Sequence, residues 1–86
     1  NERFEKQFED VYPGFFKKVV KSSKRLTQGD LRLCAFLRLN QTTKEIAQMT
    51  GVSIRTIESQ KYRLKKKLNM SDKDSLITFI FSVDSD

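Results

Sequence analysis

Phe4, Phe8, Val11 and Phe15 recur at steps of four, three and four, with Glu2, Glu5, Lys6, Glu9 and Asp10 between them. That is the period of one apolar helix face, so the spacing predicts an amphipathic helix over residues 2 to about 11. Pro13-Gly14 should interrupt it. Phe15, Phe16, Val19 and Val20 then form a second short apolar face beside a basic cluster, Lys17, Lys18, Lys21, Lys24 and Arg25, whose simplest reading is a solvated helix side.

Thr27 followed three positions later by Asp30 resembles an N-cap with an acidic partner. The helix it opens, about 28 to 39, should carry Leu31, Ala35, Phe36 and Leu39 inward, with Leu33, Cys34 and Leu37 widening the apolar face. Asn40-Gln41-Thr42 breaks the pattern, and either Thr42 or Thr43 should cap two short turns over 43 to 49. Gly51 stands where a turn needs positive φ, Val52 is expected as an apolar plug, and Ser53 can cap the next helix. From Ile54 the pattern continues to about Asn69, with Ile57, Leu64, Leu68 and parts of Lys61 and Tyr62 inward. After a polar break, with Asp74 or Ser75 as the cap, Leu76 to Val83 make a last short element that is apolar on nearly every side. A strand there would have no partner for its backbone groups, so helix is the reading.

The fold class is therefore all-α, a compact helical bundle. Its 86 residues, 37% hydrophobic and 33% charged, suffice for one modest core. The boundaries expected are an N-terminal amphipathic helical extension or linker over 1 to 25 and a helix-turn-helix domain over 26 to 86. The chain opens on Asn1 without an initiator Met, so it is expected to be a piece of a longer protein with sensor domains upstream. No apolar stretch reaches membrane-span length and no signal pattern opens the chain, which gives a cytoplasmic expectation for this domain and leaves a membrane anchor elsewhere in the full-length protein open.

Charge and chemistry narrow the function. A net charge of +6 favours an anionic partner without choosing among nucleic acid, membrane and acidic protein. There is no His, the single Cys34 lies in an apolar run, and the acids form no spaced pair, so neither an enzyme nor a metal or cofactor site is expected. What remains is residues 43 to 69, two helices joined by a short Gly-containing turn, the layout in which the second helix enters a DNA major groove. From Arg55 to Lys67 there are six Lys or Arg residues against the single acid Glu58. Short or forked side chains at the helix start suit base edges, making Arg55, Thr56, Glu58, Ser59 and Gln60 base-reading candidates. Thr43, Lys44, Lys61, Lys65, Lys66 and Lys67 are the phosphate candidates. Glu45 reads as an internal brace. In the last helix Leu76, Ile77 and Ile80 are expected to cover the core, leaving Phe79 and Val83 as candidates for self-association.

Leu26-Thr27, Thr43-Lys44-Glu45-Ile46-Ala47, Gly51-Val52-Ser53, Thr56-Ile57-Glu58 and Lys66-Lys67-Leu68-Asn69 together resemble the signature of LuxR-type (LuxR/GerE) helix-turn-helix domains. Tyr12-Pro13-Gly14-Phe15-Phe16 and the block from Arg63 to Leu68 are similar to a Bacteroidetes-like subgroup whose domain ends long sensor or regulator proteins. The resemblance implies a four-helix core, a third helix in the major groove and a last helix that makes a dimer contact. By motif it places Glu58, Ser59 and Tyr62 toward the groove, Arg55 and Thr56 near the start of that helix, and Lys44 on the bracing helix. Many members carry His where Gln60 stands and Asn or a hydrophobic residue near Tyr62 and Arg63, so the resemblance adds Tyr62 and Arg63 to the base-reading candidates and implies that the bases read would differ. The function expected is sequence-specific binding of double-stranded DNA as the output domain of a bacterial transcription regulator, acting as a dimer. The alternatives are a helical protein-interaction module that kept the fold, and a sigma-factor-like promoter-recognition domain that would bring RNA polymerase as a partner.

Overall fold

A computed structural model of the chain describes residues 2–83. Six helices account for its regular structure: α1 (Glu2–Val11), α2 (Phe15–Val20), α3 (Gln28–Arg38), α4 (Thr43–Thr50), α5 (Ile54–Lys67) and α6 (Leu76–Ser82). No strand occurs among the described residues. Each of α3, α4, α5 and α6 begins where a Ser or Thr oxygen takes a backbone N–H that the helix cannot satisfy itself. Thr27 accepts from the Asp30 amide and Thr42 from the Glu45 amide, and in both the acid returns the favour to the cap backbone. Ser53 and Ser75 cap α5 and α6 through the amides of Thr56 and Thr78. The choices left open by the sequence thus fall to Thr42 and Ser75. Asp74 instead accepts the Ser71 amide at 2.8 Å within the preceding turn.

Helices α3 and α5 end alike. Asn40 and Asn69 take φ of 61° and 59°, a left-handed conformation that Asn tolerates better than most side chains. The amide two residues past each C-cap then reaches back to the last turn, Gln41 N to Phe36 O at 3.1 Å and Met70 N to Lys65 O at 2.9 Å. At Gly51 the backbone turns with φ 73°, where a side chain would be strained, and α4 stops there so that α5 can leave at an angle.

The core is one cluster drawn from every helix: Phe8, Phe15 and Val19 from α1 and α2, Leu33 to Leu37 from α3, Ile46 and Ala47 from α4, Ile57 and Leu64 from α5, and Leu76 and Ile80 from α6. The phenylalanines of α1 join it through ring contacts, Phe4 stacking on Phe36 at 4.9 Å and Phe8 meeting Phe15 edge-on at 5.2 Å. Glu5 adds a polar tie between α1 and α3, accepting from Gln28 Nε2 at 2.6 Å and pairing with Arg32 at 3.4 Å.

Several side chains face otherwise than the sequence pattern suggested. Val11 is 68% exposed, because Tyr12 takes its place against Phe8 at 4.8 Å. Leu39 and Val52 are exposed as well, so Val52 is not a buried plug. In α6 the face is rotated: Leu76 and Ile80 are buried and Phe79 and Val83 pack against them, while Ile77 and Phe81 are each 38% exposed. The reason is spacing, since 76, 79, 80 and 83 follow the i, i+3, i+4, i+7 pattern of one helix face and 77 and 81 lie off it. Phe79 and Val83 therefore pack on the core and do not point away from it, contrary to the expectation from sequence.

Cys34 is fully buried, and burial, with the Asp30 charge adding to it against one opposing backbone hydrogen bond, pushes its thiol up to about 12. The reactive thiolate is then scarce and inaccessible. The native protein is expected to resist a thiol reagent at pH ~8 and to react once denatured; fast labelling of the folded chain would show that the core opens around α3.

Candidate nucleic-acid interface

The α4–α5 pair is held from inside. Ile46, Ala47, Ile57 and Leu64 are each at most 4% exposed, and the small Ala47 lets the two helices cross closely. Burying Ile57 and Leu64 sets the azimuth of all of α5. At 3.6 residues per turn, positions 55, 59, 62 and 66 fall on the line opposite those two. Arg55, Ser59, Tyr62 and Lys66 are all exposed, making one outward row along the helix. Thr56, Glu58 and Arg63 flank it and are exposed too. Tyr62 is 55% exposed, so it belongs to this row and contributes little to the core.

Gln60 stands apart. It is half-buried and lines a cleft with Arg32, Leu33, Ile46 and Ile57, on the side of α5 that turns toward α3. The phosphate candidates separate in the same way. Lys61 donates to Thr43 Oγ1 at 3.1 Å, tying α5 to the first turn of α4, and Lys65 reaches the Asp72 carbonyl at 3.4 Å. Lys67 pairs with Asp30 at 2.6 Å, with both side chains largely covered. Lys66 lies over the Tyr62 ring, 5.1 Å from its centre, on the outer row. Lys44 is exposed in the first turn of α4, where the free amides of the helix start add a positive field.

The arrangement is a braced helix with a polar, basic outer row, joined through a three-residue turn to the helix that supports it. A protein-family model described as bacterial regulatory proteins, luxR family, matches residues 31–80, more than half of the chain. The chain belongs to the luxR family. No curated protein and no solved structure matches it. The luxR-family match begins inside α3 and ends inside α6, so it contains the whole of α4 and α5. The luxR family is a family of DNA-binding regulatory domains and not of enzymes.

Within the luxR-family unit, the structure brings Arg55, Ser59, Tyr62 and Lys66 onto one surface with Thr56, Glu58 and Arg63 beside them. It does not bring Gln60 or Lys67 there. Glu45 accepts the Thr42 amide at 2.8 Å and so braces the start of α4 from within that helix. Sequence reasoning missed the Asp30–Lys67 pair, whose members are 37 residues apart. The same carboxylate oxygen accepts the Thr27 amide at 2.8 Å. A basic residue at the end of one helix facing an acid in the first turn of another was legible only as two separate local features.

Burial alone would raise the Asp30 pKa, but the hydrogen bond from Lys67 and those from Thr27 outweigh it and hold the carboxyl below its ordinary 3.8. A depressed folded-state value means that the ion pair stabilises the fold above the unfolded-state pKa and ceases to do so as pH falls through the folded one. Lys67→Met is therefore expected to cost stability that is constant from pH ~7 to ~5 and shrinks below about 4. Urea unfolding of both proteins across that range checks it; a difference independent of pH would assign the effect to packing of the lysine stem.

Proposed function

We propose that this domain binds double-stranded DNA in a sequence-specific way, as the output unit of a bacterial transcription regulator that works in two copies. The observation that carries the reading is the outer row of α5. Arg55, Ser59 and Tyr62 present donors and acceptors to solvent from a helix whose opposite side is locked in the core. Such a row, one helix turn per step, suits base edges in a major groove, with Arg55 matched to guanine and Glu58 beside it to cytosine N4. Lys44, Lys66 and Arg63 supply charge for the adjoining phosphates.

Self-association is the second half of the reading. Ile77 and Phe81 are one turn apart on α6 and both exposed, an apolar pair that a second copy could cover. They replace Phe79 and Val83, which already pack on the core of their own chain. Helices α1 and α2, ahead of the family unit, would connect it to sensor domains upstream, with this part of the protein in the cytoplasm. No helix among the described residues is long and apolar enough to cross a membrane.

The test is selection from a pool of random duplexes at two salt concentrations, with sequencing of what is retained. Enrichment of a two-fold symmetric site is the expected outcome. Binding without enrichment would reduce the domain to a general electrostatic role, and absence of binding at low salt would favour the protein-interaction module.

A further inference from the structure

The cations of α2 and the segment after it lie outside the residues that match the luxR family, and the outer row of α5 does not use them. Lys17, Lys18, Lys21, Lys24 and Arg25 are five positive charges in a stretch, residues 15 to 29, that contains no acid. The mixed charges of α1, where Arg3 and Lys6 alternate with Glu5, Glu9 and Asp10, make the contrast plain. Phe15 and Val19 are fully buried, which turns Lys17 and Lys21 to the opposite side of α2; these two, Lys24 and Arg25 are all exposed. None of the five makes an ion pair among the described residues.

The C-terminal end of this stretch is placed through Asp30. Its Oδ2 accepts the Thr27 amide at 2.8 Å and the Lys67 ammonium at 2.6 Å, so the start of α3 is fastened to the last residue of α5. Arg25 lies two residues before Thr27, a reach of at most about 7 Å. Arg25, the last cation of the stretch, thus lies within reach of Lys67 at the C-terminal end of α5. That end is away from the base-reading residues, where a groove-bound helix meets the backbone flanking its half-site.

We propose that residues 17–25 form a second phosphate-binding surface, which extends the contact with duplex DNA from the α5 half-site onto the flanking backbone. The inference rests on the DNA reading above. A duplex presents about one phosphate per 1.7 Å of axis, an anion array that suits a stretch of five cations whose end lies near the end of the recognition helix. An acidic membrane is the poorer match, because a surface helix needs a broad free apolar side, whereas in α2 Phe15 and Val19 are buried in the core and Val20 alone of the apolar residues is exposed.

The experiment compares the full chain with the triple variant Lys17→Gln/Lys21→Gln/Lys24→Gln on the selected site, placed in a duplex that ends at the edges of the site and in one extended by about one helical turn of flanking sequence on each side. Unchanged circular dichroism and melting establish that the variant is folded. The unsubstituted protein should bind the longer duplex more tightly and with a steeper salt dependence, and the variant should bind both alike. Each lost phosphate contact lowers the slope by about 0.9, so three correspond to roughly a 40-fold smaller loss of affinity between about 50 and 200 mM salt. Site preference should be the same in both proteins. Equal slopes and equal length dependence would overturn the inference while leaving the DNA reading intact, and failure of both proteins to bind either duplex would remove both. Phosphatidylserine vesicles bound by the unsubstituted protein and not by the variant, with duplex binding unchanged, would assign the surface to a membrane instead.

Discussion

Leu64→Ala is expected to lower the stability of the domain by about 2–5 kcal/mol, the range for emptying a fully enclosed leucine site. Leu64 is completely buried, and with Ile57 it forms the inner stripe that holds α5 on α3 and α4. A domain of 86 residues has in total about 4–13 kcal/mol, at roughly 0.05–0.15 kcal/mol per residue, so this one change removes a large fraction. Urea unfolding measures it, with Ile54→Ala as the reference. Ile54 is 46% exposed at the start of the same helix, and its loss should stay within about 0.5 kcal/mol. A cost below about 1 kcal/mol at Leu64 would mean that the surrounding residues close the cavity and that α5 is not fixed by its inner stripe.

Arg55→Ala is expected to weaken binding to the selected site by about 1–3 kcal/mol, and to relax the preference at the base pair it faces. Gln60→Ala should leave the preference nearly unchanged, because Gln60 is half-buried on the flank of α5 that turns into the cleft beside α3. Lys66→Ala forms the third arm. A phosphate contact carries no sequence information, so it should weaken matched and mismatched duplexes alike and reduce the salt slope by about 0.9. Competition binding with single-base variants of the site separates these outcomes. If Gln60→Ala moved the preference and Arg55→Ala did not, α5 would enter the groove by its other edge.

How much of this was legible in the chain varies with the kind of signal. Helix limits were read closely wherever a side chain acts on its own backbone neighbours: Thr27 with Asp30, Ser53 with Thr56 and Gly51 in its turn are all local, and each is found in place. Facing was read less well where apolar residues crowd every side. In α6, with Leu76, Ile77, Phe79, Ile80 and Phe81 all available, composition allows several inward sets, and the packing against α3 selects one of them. Val11 and Tyr12 show the same ambiguity at the end of α1, where two adjacent positions could complete the stripe of Phe4 and Phe8.

The candidate interface divides along the same line. That α5 is basic, capped and preceded by a glycine turn follows from residues a few positions apart, and the sequence by itself determined the helix-turn-helix, the family and the kind of partner it suits. Which of six cations remain available could not follow from their number. Lys67 is taken by Asp30 and Lys61 by Thr43, through contacts between helices 37 and 18 residues apart in the chain. Only the tertiary structure decided these, because the charge that a lysine offers to a phosphate depends on which other anion or acceptor the fold has already placed beside it.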